Sequence, residues 1–255
     1  MPAEEDLAMK AAAPKAPRDS RRRWLWVTVF AISFAYVESS VVVYLREIYF
    51  DGSFDFPIMT FWENGRHVLD RLIVVEMGRE AATIVMLAAA GILAGRNGLQ
   101  RFCFFMIAFG VWDIFYYVWL RLILGWPESI MTWDLLFYIP LPWVGPVITP
   151  VLIAATMTAA GTLLIALEDR GYRIRWRWVD WAVEMGCGFL LIVSFCWDWK
   201  NILRVPDGTL RTGIPEIFAW WLFVPAYLVA AIYFAVRVRQ VIAAGKGDPE
   251  DGRPA

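Results

Sequence analysis

The chain holds a single histidine, His67, and three cysteines, Cys103, Cys187 and Cys196, with no C-x-x-C spacing among them. Haem ligated by two histidines and an H-E-x-x-H zinc site are therefore excluded. The paired Glu-x-x-His motifs of a carboxylate di-iron bundle are missing as well. No G-x-S-x-G elbow occurs, and Ser39 and Ser40 adjoin Glu38 instead of a histidine, so a serine nucleophile lacks its base. Each cysteine lies in an apolar stretch and reads as a small core residue, which points to neither a disulfide framework nor a thiol relay. Charge is scarce too, at 19% of 255 residues.

What fills the space is apolar. Hydrophobic residues make up 59% of the chain, aromatics 16%, and the mean hydropathy is +0.51, more than a water-soluble core can use. Six segments reach the ~20 residues needed to cross a bilayer: Trp24 to Leu45, Leu72 to Gly95, Phe102 to Leu120, Val147 to Leu167, Trp178 to Trp197 and Pro215 to Val236. The expected fold is all-α, a polytopic bundle occupying residues 24 to 240. Residues 1 to 23 and 241 to 255, rich in Ala, Pro, Gly and charge, read as disordered tails. The first span is too long, and lacks the cleavage pattern, for a removable signal peptide. No internal repeat is visible.

Lys and Arg are distributed unevenly between the alternate connections. Sixteen fall on one side and seven on the other, with Arg79 inside a span, so the positive-inside rule places both termini in the cytoplasm. Trp24, Trp26, Trp126, Trp133, Trp143, Trp176 and Trp178 fall at the expected aromatic belts. The net charge of -1 gives no footprint for nucleic acid, and the expected environment is the lipid bilayer.

Five ionisable residues interrupt these spans: Glu38 in the first, Glu76, Arg79 and Glu80 in the second, Asp113 in the third. A charge at the bilayer centre costs roughly 2.5 to 3.5 kcal/mol on the mildest scale, so such groups pair, protonate or serve a function. Taking Arg46, Arg71 and Arg121 as markers of the outer surface, Glu38, Glu80 and Asp113 lie eight or nine residues inward. At a rise of ~1.5 Å per residue this is a common depth of ~12 to 14 Å. Glu76 and Glu80 share a helix face, Arg79 can neutralise one of them, and Tyr116 and Tyr117 follow Asp113 by one turn. Glu38, Glu76, Arg79, Glu80, Asp113, Tyr116 and Tyr117 are thus the candidate substrate- or proton-binding residues. No cofactor is expected. The one metal option left is an all-oxygen divalent cation site built from Glu38, Glu76, Glu80 and Asp113, which Arg79 would oppose.

Between the third and fourth spans, Trp126 to Pro146 carries three Trp and four Pro but no Lys or Arg. It is too broken for a seventh helix and is expected to be an interfacial loop anchored by aromatics, or a lid over the outer pocket. Asp180 and Glu184 share a face near the cytoplasmic end of span five and read as a solvated helix end. Gly91 and Gly95 suggest close helix packing. Pro225 interrupts span six, and the loop 198–213, with Lys200, Arg204 and Arg211, is the most polar outer connection.

The run FGVWDIFYY at 109 to 117, followed by GWPES at 125, TWD at 132 and PLPWVGP at 140, resembles uncharacterised bacterial polytopic inner-membrane proteins over residues 109 to 150. That resemblance implies a bacterial inner-membrane location and no assigned activity. Three functions stay open: proton-coupled binding or transport of a small solute or lipid group; acid/base catalysis on a lipid or isoprenoid; and a structural or assembly role.

Overall fold

A computed structural model describes residues 17–49, 68–139, 141–198 and 217–245. Six helices run in chain order: α1 (Pro17–Tyr49), α2 (Val68–Ala94), α3 (Gly98–Leu124), α4 (Ile148–Asp169), α5 (Trp178–Cys196) and α6 (Trp220–Ala243). All six are long and apolar enough to cross a membrane. His67, the polar stretch 199–213 and the outermost tails, 1–16 and 246–255, lie outside the described residues.

The helix starts and stops follow local chemistry. Pro17 suits a first helical turn, where its missing N–H is no loss. The helix thus begins seven residues before Trp24, inside the stretch expected to be a tail. Its added turns are tied down: Ser20 Oγ donates to Asp169 at 2.9 Å and Arg23 to Gln100 at 3.0 Å. Asn97 caps α3, its side chain accepting from the Gln100 N–H at 2.8 Å. Gly125 then ends that helix in a left-handed conformation at φ 71°. α6 stays helical through Pro225.

Helix α3 is the centre of the molecule. Of its most apolar window 56% is buried, against 17% for α6. Phe104, Ile107 and Ala108 pack on Val27, Ala31 and Ala35 of α1, Leu87 of α2, and Leu164 and Ile165 of α4. The backbones approach closely at Gly110, where an added Cβ would lie 2.3 Å from the Ala154 carbonyl oxygen of α4. Gly91 does the same for α2 against α3, with Phe105 N 2.7 Å from its would-be Cβ, so the G-x-x-x-G pattern serves packing within the chain. Helices α5 and α6 pair chiefly with each other. They meet the rest through an aromatic cluster of Phe195, Phe218 and Phe223 with Trp133 and Trp143, and at the other end through Val238, Phe234 and Trp181.

The segment after α3 is not a loop. It forms an antiparallel hairpin, β1 (Trp133–Phe137) and β2 (Trp143–Pro146), pairing Trp133 with Pro146, Asp134 with Gly145 and Leu135 with Val144. The physical reason is polar satisfaction: a segment this apolar sits where water is scarce, and a ladder pairs backbone groups that a loop would leave bare. Bonds from Val147 N–H to the Thr132 carbonyl (3.0 Å) and from Ile148 N–H to the Ile130 carbonyl (2.8 Å) extend the pairing into the start of α4.

Candidate functional site

The hairpin covers one end of the bundle, and the intramembrane charges lie beneath it. Arg79 of α2 is the hub. Its Nε donates to Glu76 at 2.9 Å, one turn back on the same helix, and its Nη1 forms an ion pair with Glu38 of α1. Glu38 also accepts from Thr83 Oγ1 at 3.3 Å. The neighbouring Ser39 hydroxyl reaches the Tyr116 carbonyl of α3 at 3.1 Å. Equal depth on three helices has become direct contact between two of them, stitched to the third.

Glu80 points to the hairpin instead of into this pair. Both of its carboxylate oxygens accept from the Tyr138 backbone N–H, at 3.0 and 2.9 Å, just beyond β1. A second tie comes from α3, where Tyr117 donates its hydroxyl to Asp134 of β1 at 2.9 Å. Asp113 lies beside this bond as an electrostatic neighbour of Asp134 and Tyr117. Its Oδ2 is buried and meets no hydrogen-bond partner. Tyr116, in edge-on contact with Tyr117 at 5.1 Å between ring centres, neighbours Arg79 and joins the two halves. Glu38, Glu80, Asp113 and Asp134 are all buried.

Of the seven residues expected from the sequence, Glu38, Glu76 and Arg79 are in direct contact and Tyr116 meets Tyr117, while Glu80 and Asp113 are electrostatic neighbours of Arg79 and Tyr117 respectively. Sequence reasoning missed Asp134 and the Tyr138 amide. An acid in an otherwise uncharged aromatic segment was the available signal for Asp134, whereas a backbone N–H leaves no trace in residue type. Among the described residues no three metal-binding side chains gather around one point. The position between Glu38 and Glu76 that an all-oxygen cation site would use is filled by the Arg79 guanidinium.

At the opposite end, Asp180 corrects an expectation. It is fully buried, not solvated. As the third residue of α5 it accepts from the Arg177 N–H at 2.7 Å. From α6 come the Tyr233 hydroxyl at 2.7 Å and Arg237 Nε at 2.9 Å, and the Arg177 side chain adds a contact at 3.1 Å. Hydrogen bonding to Asp180 pushes the Arg177 guanidinium pKa up from its ordinary value. The helix-end argument failed because the donors on α6 lie more than 50 residues away in sequence. Glu184, one turn further along α5, has a buried Oε1 without a hydrogen-bond partner.

Six apolar helices, with exposed Trp26, Val74, Leu93, Phe189 and Ile232 turned away from the core, define an integral multi-pass membrane protein whose outer surface fits lipid. Comparison with known protein families, curated proteins and solved structures returns no match, so the fold and the site rest on the chain's own chemistry.

Proposed function

We propose that the protein is a proton-coupled binding or transport protein for a small solute or lipid group, working in a bacterial inner membrane with both termini in the cytoplasm and the hairpin on the outer side. The observation that carries this reading is charge imbalance under the hairpin. Among the described residues Arg79 is taken up by Glu38 and Glu76 and neighbours Glu80, while Asp113 is buried with an oxygen that meets no hydrogen-bond donor. A carboxyl withdrawn from water can hold a proton and release it on hydration, which is what proton coupling requires.

The geometry divides the roles. Arg79 is already engaged by Glu38 and Glu76, so it holds α1 to α2; an anionic moiety would have to displace one of them. Glu80 and Asp113 are the exchangeable groups, since Glu80 fastens the hairpin through one amide and Asp113 keeps a free oxygen beside the Tyr117–Asp134 bond. Protonation of Glu80 weakens a charge-assisted bond and loosens the hairpin; deprotonation reseats it.

The test uses proteoliposomes under an imposed pH gradient, with internal pH read by a dye while a panel of small amines, sugars and amino acids is added outside. Proton entry stimulated by at least one solute class is expected, and Glu80→Gln and Asp113→Asn should abolish it at normal accumulation. A wild-type protein that moves no protons, with both variants failing to accumulate, would establish the structural role instead.

A further inference from the structure

The seam between the α1–α4 bundle and the α5–α6 pair is open. It contains a cavity of about 250 Å³, bounded by α3 and α4 on one side and α5 and α6 on the other. Its walls are aromatic and thioether-rich, with Phe102, Trp181, Phe234, Met157 and Met185 among them. Phe102 and Trp181 meet edge to face at 5.3 Å, and Trp176 lies 6.0 Å from Trp181. Thr156 and Tyr227 also line the space, but their hydroxyls are bonded to each other at 2.6 Å. Among the described residues that leaves Glu184 as the one acidic lining group, with no Lys or Arg in the lining, and its Oε1 is buried without a hydrogen-bond partner. The nearby Arg177 and Arg237 are committed to Asp180.

We infer that this cavity binds a lipophilic organic cation, with Glu184 as counter-ion and the surrounding rings as cation–π walls. A lone carboxyl in an aromatic chamber within the membrane is complementary to positive charge carried on an apolar body. An ordinary phospholipid fits poorly. Glu184 lies six residues inside the start of α5, ~9 Å along the helix, deeper than a phosphate group sits, and a phosphate would meet the carboxylate with like charge. The site shares no residue with the cluster under the hairpin, and the inference stands whether or not that cluster couples to protons.

The test is equilibrium binding of radiolabelled tetraphenylphosphonium to the purified full-length protein in mild detergent, by scintillation proximity, with no pH gradient or flux involved. Saturable binding is expected, weakened at least tenfold by Glu184→Gln in protein that elutes and melts like the wild type. A second variant acts through shape: Gly188→Leu builds a side chain from the cavity wall, where an added Cβ meets no atom within 4 Å, and should cut binding at least tenfold with Glu184 intact. Non-saturable uptake overturns the inference, as does binding unchanged in both variants. Native mass spectra showing a phospholipid retained equally by wild type and Glu184→Gln would overturn it too, by assigning the cavity to bulk lipid.

Discussion

The two ends of the bundle use the same side chains in opposite proportions. At the end away from the hairpin one carboxylate, Asp180, meets two guanidinium groups and a phenol. Under the hairpin, among the described residues, Glu38 and Glu76 take up Arg79, Glu80 holds the Tyr138 amide and Asp113 keeps an oxygen without a hydrogen-bond partner. The first arrangement has a donor for every lone pair that matters and joins α5 to α6. The second leaves an Asp113 oxygen without a donor, and its Glu80 touches the hairpin. Buried charge by itself therefore says little about role; the ratio of acids to donors separates a fastening from a site with protons to exchange.

Breaking the fastening should have the largest effect. Asp180→Asn leaves Arg177 and Arg237 without their counter-charge, and a fall in Tm of about 10 °C is expected for the purified protein. Arg79→Met removes the hub under the hairpin and should cost less, about 5 °C, because Glu38 and Glu76 can take up protons in its absence. The deficit should shrink when melting is repeated at acidic pH; an equal or larger deficit there would show that the acids are locked as anions, as at the other end. Tyr117→Phe deletes one bond to a buried carboxylate, about 1 kcal/mol, and should lower Tm by about 3 °C. The smallest change in stability is expected for Glu80→Gln. Its signature is local: faster hydrogen exchange across residues 133–146, by about fivefold, with the helices unaffected. Slower or unchanged exchange there would detach Glu80 from hairpin opening.

Much of this contrast was legible in the sequence, and the rest was hidden for physical reasons. The six spans follow from runs of ~20 apolar residues because a bilayer imposes that length. The Glu76–Arg79 pair is a matter of helical spacing; equal depth was read for Glu38, Glu80 and Asp113, whereas the partner Glu38 meets is Arg79. The hairpin was not visible: WDLLF lacks the alternation of a half-buried strand, and its burial is correspondingly irregular. Asp180 was misjudged because its depth suggested water, while Tyr233 and Arg237, contributed by a helix more than 50 residues later, determine its surroundings. Asp134 was passed over with the loop to which it was assigned.

The pairing of Arg79 with Glu76 and Glu38 also bears on how the chain is made. Helix α2 has the lowest hydropathy of the six spans, 1.4, and carries two acids and a base in five residues. When it leaves the ribosome, Glu76 and Arg79 can enter the membrane as a neutral pair one turn apart. Glu38 is already there, on the helix synthesised before it. In chain order, then, the partner of Arg79 precedes it, and α3, the post on which α1 and α2 both pack, comes last of the three.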